Sequence, residues 1–201
     1  MPGNNAPHSA PAVTPDGRTL VFHEQAAKTR YDIMSSELEG ERRAEPLLRT
    51  NFDERNPRIS PNGLWIAYDS DASGRYEIYV RPFPDVQRGQ WQVSAAGGEE
   101  PVWSRDGGEL FYRAPNGALM GVSILRGSTW SAGKPAEVVK ERYYAGDSGG
   151  VGPLLNPTYD VARDGRFLMI KEQGAQATTA SPSIIVVLNW FEELKRLVPG
   201  N

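Results

Sequence analysis

One short pattern recurs four times along the chain: alternating residues, a tight turn ending in glycine, then an apolar run. The copies are Ala12-Val-Thr-Pro-Asp-Gly-Arg-Thr-Leu-Val-Phe22, Arg58-Ile-Ser-Pro-Asn-Gly-Leu-Trp-Ile-Ala-Tyr68, Val102-Trp-Ser-Arg-Asp-Gly-Gly-Glu-Leu-Phe-Tyr112 and Asp160-Val-Ala-Arg-Asp-Gly-Arg-Phe-Leu-Met-Ile170. The turn glycines Gly17, Gly63, Gly107 and Gly165 are separated by 46, 44 and 58 residues. A fixed period of about 40–50 residues marks a stack of four-stranded sheets. Asp-Gly and Asn-Gly accept the positive φ of a tight hairpin, and a two-residue turn is expected at each copy. Pro15 and Pro61 lack an N–H and sit where strand pairing stops. The runs that follow are β-branched and aromatic, of strand length, and bounded by turn residues.

Each unit continues in the same manner. A third strand is predicted at Tyr31–Met34, Tyr76–Val80, Leu119–Ile124 and Ser183–Leu188, and an outer strand at Pro46–Arg49, Trp91–Ser94 and Glu137–Lys140. The last unit ends instead in Asn189-Trp-Phe-Glu-Glu-Leu-Lys-Arg-Leu-Val198, with Trp190, Phe191, Leu194, Leu197 and Val198 at helical spacing and Pro199-Gly200 as a stop. The expected fold is therefore all-β: a β-propeller of four-stranded blades, with four recognisable units and a short C-terminal helix. The blades fall at about 11–51, 56–97, 100–142 and 158–198. Residues 1–10 form a disordered lead-in, and a Gly-rich loop at 145–157 accounts for the long interval. One such unit cannot bury its apolar face alone, so neighbours must stack. Four blades that do not close leave sheet surfaces uncovered, and self-association or a partner completing the ring is expected.

The stretches Ile59-Ser-Pro-Asn-Gly-Leu-Trp-Ile-Ala-Tyr68 and Tyr76-Glu-Ile-Tyr-Val80 resemble the WD-like propeller repeats of the TolB family. The end of the chain, Tyr159–Lys171 followed by Ile185–Pro199, is similar to the C-terminal propellers that follow bacterial serine/threonine kinase domains. The resemblance extends over nearly all of 11–199. It implies a propeller serving as an interaction or sensor module of a larger bacterial signalling protein, with six or more blades in full-length relatives. No kinase chemistry carries over. The Gly-rich nucleotide loop, the His-Arg-Asp loop and the Asp-Phe-Gly metal motif are all missing.

Composition narrows the function further. The chain has 201 residues and no cysteine, which excludes disulfides, thiolate nucleophiles and cysteine-held metals. Its net charge is −3, which gives no electrostatic footprint for nucleic acid. No apolar run approaches the ~20 residues of a membrane helix, and no secretory signal pattern is present. No membrane insertion of this chain is expected. Its compartment stays open: extracytoplasmic if it belongs to a membrane kinase, otherwise cytoplasmic.

Few residues carry candidate chemistry. Gly146-Asp-Ser-Gly-Gly150 is identical to the nucleophile motif of chymotrypsin-like proteases. His23, Asp69 or Asp71, and Ser148 would keep the His, Asp, Ser order of that class, which makes a serine hydrolase the alternative to a non-enzymatic binding module. Asp69-Ser-Asp-Ala-Ser-Gly74 places oxygen donors at Asp69, Asp71 and Ser73, as in the first half of a calcium loop, but Val80 stands where the bidentate Glu is needed. Gly127–Pro135 approximates a phosphate loop without its Ser or Thr. His8 and His23 are too few and too far apart for zinc. Trp65, Trp91, Trp103, Trp130 and Trp190 could stack on a ligand, although strand position assigns Trp65 and Trp103 to the inter-blade core. No cofactor is expected. The expected partner is a protein or small ligand on the propeller loops.

Overall fold

The computed structural model describes residues 9–26, 30–125, 129–139, 143 and 157–170. Within them every strand pairs antiparallel with its sequence neighbour. The first sheet holds β1 (Ser9–Val13), β2 (Thr19–Gln25), β3 (Tyr31–Glu37) and β4 (Ala44–Leu48). The second holds β5 (Glu54–Ile59), β6 (Trp65–Ser70), β7 (Glu77–Pro82) and β8 (Trp91–Gln92). The third holds β9 (Glu99–Trp103), β10 (Glu109–Arg113), β11 (Leu119–Ser123) and β12 (Ala136–Val139), and the fourth β13 (Tyr159–Val161) and β14 (Phe167–Met169). The first strands of successive sheets lie side by side, β1 against β5, β5 against β9, and β9 against β13.

The apolar core is divided by the same logic. Val21, Ile33 and Leu48 of the first sheet meet Ile66, Tyr68 and Tyr79 of the second. Ala67, Ile78 and Val80, on the opposite face of the second sheet, meet Trp103, Leu110, Tyr112 and Val122 of the third. Val102, Phe111 and Leu119 then meet Tyr159 and Val161. Adjacent residues of one strand serve different interfaces because side chains alternate across a sheet. The middle sheets are thus buried on both faces, which is why Trp65–Tyr68 and Leu110–Tyr112 read as unbroken apolar runs. Each fully buried Leu or Ile contributes roughly 1.5–3 kcal/mol, and an isolated sheet, with no neighbour on either face, would forfeit most of that.

The repeated turn is larger than the two-residue hairpin expected. Val13 pairs with Leu20, Ile59 with Ile66, and Trp103 with Leu110. In two copies the Pro before Asp-Gly or Asn-Gly has no N–H to close a two-residue hairpin, and the chain takes a four-residue turn closed by Gly63 N to Ser60 O at 2.8 Å. Side chains brace it. The Ser60 hydroxyl donates to Asn62 Oδ1 at 2.7 Å and accepts from Trp65 N at 3.0 Å, while Asn62 Oδ1 accepts from Leu64 N at 3.1 Å. Thr14 with Asp16 and Ser104 with Asp106 repeat the arrangement. Gly63 then reverses the chain at φ +71, a conformation that glycine adopts without strain.

The fourth copy departs from the other three. Ala162 has no hydroxyl, and its N–H donates to Arg166 O at 2.8 Å, four residues on instead of five. The turn is one residue shorter, so Val161 faces Phe167 rather than Leu168. Phe167 and Met169 pack on the third sheet, and Leu168 is left 75% exposed.

Other boundaries also move. β1 begins at Ser9, inside the expected lead-in, because Ser9 pairs with His23 beyond a bulge. The outer strand of the second sheet keeps only Trp91–Gln92 of the four residues expected. The fourth unit's third strand, its C-terminal helix and most of the Gly-rich loop lie outside the described residues. Among the described residues no helix is long and apolar enough to cross a membrane.

Candidate ligand-binding face

A line of buried polar groups joins the inner strands. His23 of β2 accepts at Nδ1 from Asn56 N at 3.2 Å. Asp69 of β6 accepts from Arg55 Nε at 2.6 Å, from Asn56 Nδ2 at 2.9 Å and from Glu100 N at 3.4 Å. Glu100 of β9 accepts from Arg113, from Thr158 N at 3.1 Å and, through its backbone oxygen, from Tyr159 OH at 2.8 Å. Asn56 and Glu100 occupy the same place in their repeats, each before a proline, and both have positive φ, 53° and 58°. The bulges they form turn polar side chains inward, where each finds partners on the next sheet. Burial pushes the Asp69 carboxyl up, and the Arg55 guanidinium beside it opposes that shift. Arg55 also pairs with Glu99 at 2.8 Å and lies over the Tyr76 ring, 3.5 Å from its centroid.

The residues singled out from sequence fall in this belt or beside it. His23 sits in mid-strand, fully buried, rather than capping β2. Its Nδ1 accepts an N–H, so it does not donate from that nitrogen to a carboxylate as a triad histidine must. Asp69 lies within β6, which ends at Ser70, and is ion-paired with Arg55, so the Asp69–Gly74 stretch is only in part a loop. Asp71 Oδ1 accepts from Asp53 N at 2.9 Å, and the Ser73 hydroxyl donates to Arg75 O at 3.2 Å. The bonds of Asp69, Asp71 and Ser73 thus run to different neighbours, and among the described residues no three His, Asp or Glu side chains gather around a metal position. Ser148 and its Gly146–Gly150 loop lie outside the described residues, as does His8.

At the turn-bearing end of the inner strands lies a cavity of about 810 Å³. Val13, Arg58, Trp103 and Tyr159 line it from four successive inner strands, and Arg105 and Arg163 from two of the turns. Arg105 donates to Val161 O at 3.2 Å and to Asp160 at 3.3 Å. Burial lowers the pKa of Arg58, whose Nη1 donates to Pro57 O at 3.0 Å. Ser60 is shared with a second hollow, of about 410 Å³, lined by Trp65 and Trp130. Those two tryptophans also line a third, of about 370 Å³, which reaches Phe83, Arg88 and Trp91. Through these shared residues the three hollows adjoin one another as a trough.

Tryptophans dominate its outer half. Trp130 packs edge-on against Trp65 at 5.3 Å and against Trp103 at 6.1 Å, and Trp65 lies edge-on to Trp91 at 5.7 Å. Gly89 makes room for this, since a Cβ there would come within 2.8 Å of the Trp91 ring. Trp103 is buried and donates its indole N–H to Arg58 O at 3.0 Å, as a core residue should. Trp65, Trp91 and Trp130 are half-buried, and among the described residues their indole N–H groups meet no protein acceptor. Trp65 therefore belongs to the core by one edge and to the surface by the other. Trp130 was not separable from the other tryptophans in the sequence, because it follows β11 in a connection with no strand pattern.

Four-stranded antiparallel meanders whose inner strands stand side by side define the protein as a β-propeller. Its architecture is TolB-like. The chain is similar to the structure of putative TolB from Agrobacterium tumefaciens, with 17% identity, 67% of this chain and 51% of that chain covered, and a TM-score of 0.53. It is also similar to a puromycin-hydrolyzing peptidase of Mycobacterium tuberculosis (18% identity, 81% and 27% covered, TM-score 0.57). A third likeness is to the periplasmic gluconolactonase PpgL of Pseudomonas aeruginosa (12% identity, 78% and 47% covered, TM-score 0.51). The chain spans about half of the TolB structure and about a quarter of the peptidase. No family model matches the sequence, and no curated protein matches it. At these identities the likeness establishes the fold.

Proposed function

We propose that this propeller is a non-enzymatic binding module that receives an extended peptide segment of a protein partner along the trough on its turn-bearing face. The observation that carries the reading is the set of three half-buried tryptophans whose indole N–H groups meet no acceptor among the described residues. Rings packed edge-to-face leave notches, not a flat platform. Notches of this kind suit proline and aliphatic side chains, while indole donors suit the carbonyls of an extended backbone. The face is built from turns and connections, where propellers place their variable contacts. A sensor or scaffold role within a larger polypeptide, and the tie to a kinase, rest on the sequence resemblance alone. His23 and Asp71 are engaged within the protein, which gives the hydrolase alternative no support.

The test is selection of a random decapeptide library on the immobilised chain. The enriched peptides are expected to shift tryptophan fluorescence and to lose binding to a Trp65→Ser, Trp130→Ser double variant. Peptides that bind wild type and double variant alike, or a library with no enrichment, would refute the reading.

A further inference from the structure

We propose that Arg58, Arg105 and Arg163 form a carboxylate-recognition site at the axial end of the trough, holding an acidic group of the bound peptide; this rests on the peptide-binding reading above. The three arginines come from three successive units of the repeat, yet all three line one cavity of about 810 Å³. The chain as a whole carries a net charge of −3, so this concentration of positive charge runs against its overall balance. Asp160 is the acidic residue among the described lining, and it engages Arg105 at 3.3 Å. Arg163 is exposed and forms no ion pair among the described residues.

Geometry adds to charge. Arg105 is held by the Val161 carbonyl as well as by Asp160, so its fork is oriented before any ligand arrives. The backbone of Arg58 is held by Trp103, whose indole N–H donates to the Arg58 carbonyl. A planar carboxylate matches such forks in pairs of parallel hydrogen bonds. A phosphate dianion would double its repulsion from the Asp160 carboxylate but also its attraction to the three arginines, so phosphate is the competitor that the test must exclude. An unmodified peptide carries its negative charge on carboxylates, so for the peptide occupant proposed above the ligand group is a carboxylate. It could come from a peptide's C-terminus or from an Asp or Glu side chain, since both present the same two oxygens.

The experiment uses the full chain and the peptides enriched above. Each is prepared as the free acid, as the C-terminal amide, and with its Asp and Glu residues changed to Asn and Gln. Dissociation constants are read by fluorescence titration. Hydrogen bonds to a charged group predict a loss on the order of tenfold or more when the recognised carboxylate is neutralised. Loss on amidation assigns the C-terminus, and loss on the Glu→Gln exchange assigns a side chain. Arg163→Gln, at an exposed turn position, is expected to bind acid and neutral peptides equally while keeping its urea midpoint.

Equal binding of acid and neutral forms to wild type would overturn the carboxylate site and leave peptide binding intact. Uniform weakening of both forms by Arg163→Gln would also overturn it. Displacement of the peptide by inorganic phosphate at a tenth of the acetate concentration needed would overturn the preference for carboxylate. Absence of any peptide that depends on Trp65 and Trp130 would remove both readings together.

Discussion

Replacing Glu54 by Gln should make this protein more stable at alkaline pH, although it deletes a hydrogen-bonded carboxylate. Glu54 is 2% exposed. One oxygen accepts the Thr50 hydroxyl, and the other, buried, has no hydrogen-bond partner among the described residues. Burial pushes its pKa from 4.5 up to about 7; the Thr50 hydroxyl opposes this and the nearby Asp32 carboxylate adds to it. The sign follows from linkage. A folded pKa above the unfolded one means that the folded state binds the proton more tightly. The contribution is fully present below about 4.5 and is lost as pH rises through about 7. The gap between 4.5 and about 7 amounts to roughly 3 kcal/mol. Gln keeps the shape of the neutral acid and never ionises. Urea unfolding followed by tryptophan fluorescence should therefore find wild type and Glu54→Gln close to equal at pH 5, and the variant ahead by about 3 kcal/mol at pH 8. Glu100, also raised by burial to about 7, gives both proteins a slope of the same sign, so the difference between them is the quantity to read. Parallel pH profiles for the two proteins would show that Glu54 does not carry a buried charge, and the reasoning would fail.

Two further outcomes test the polar belt and the turns. Asp69→Ala leaves the Arg55 guanidinium, itself 4% exposed, without its nearer partner, and should cost about 3–5 kcal/mol in urea midpoint measurements; a loss below about 1 kcal/mol would mean that Glu99 and Tyr76 suffice to hold Arg55. Gly63→Ala meets only ordinary contact, with Pro15 Cδ at 3.7 Å, so its cost is the backbone strain of φ +71, about 1 kcal/mol. Gly63→Asn should cost less than the Ala variant, and thermal unfolding that ranks them the other way would locate the cost elsewhere.

Most of the fold was legible because its signals are local. A turn glycine with its preceding Asp or Asn, a bracing Ser or Thr, and an apolar run of strand length can each be read from a few residues. The places where the reading slipped are those where a distant contact decides. Pro15 and Pro61 already argued against the two-residue turn, since the residue that flanks Asp16-Gly17 or Asn62-Gly63 would have to donate an N–H that proline lacks. Ala162 in place of Ser or Thr was the visible mark of the shortened fourth turn, but only pairing with Phe167 reveals the consequence. Glu54, Asp69 and Glu100 look like solvated carboxylates in the sequence, because burial depends on which sheet lies opposite. One clue was present. Asn56-Pro57 and Glu100-Pro101 stand at the same repeat position, and a polar residue recurring before proline on an inner strand marks an inward bulge. The trough was less accessible still, since Trp65, Trp91 and Trp130 reach it from separate strands and a connection.

The chain of groups from His23 through Asn56 and Asp69 to Glu100 and Tyr159 has an evolutionary consequence. Sheets held only by oily surfaces could be duplicated, deleted or reordered, because one greasy face fits another. Here each unit carries half of a lock whose key belongs to its successor. A copy inserted elsewhere would arrive with a carboxylate or an amide and nothing to receive it. Shuffling of these units is thus confined to exchanges that move matched neighbours together, and the order in which they follow one another is itself written into the interior.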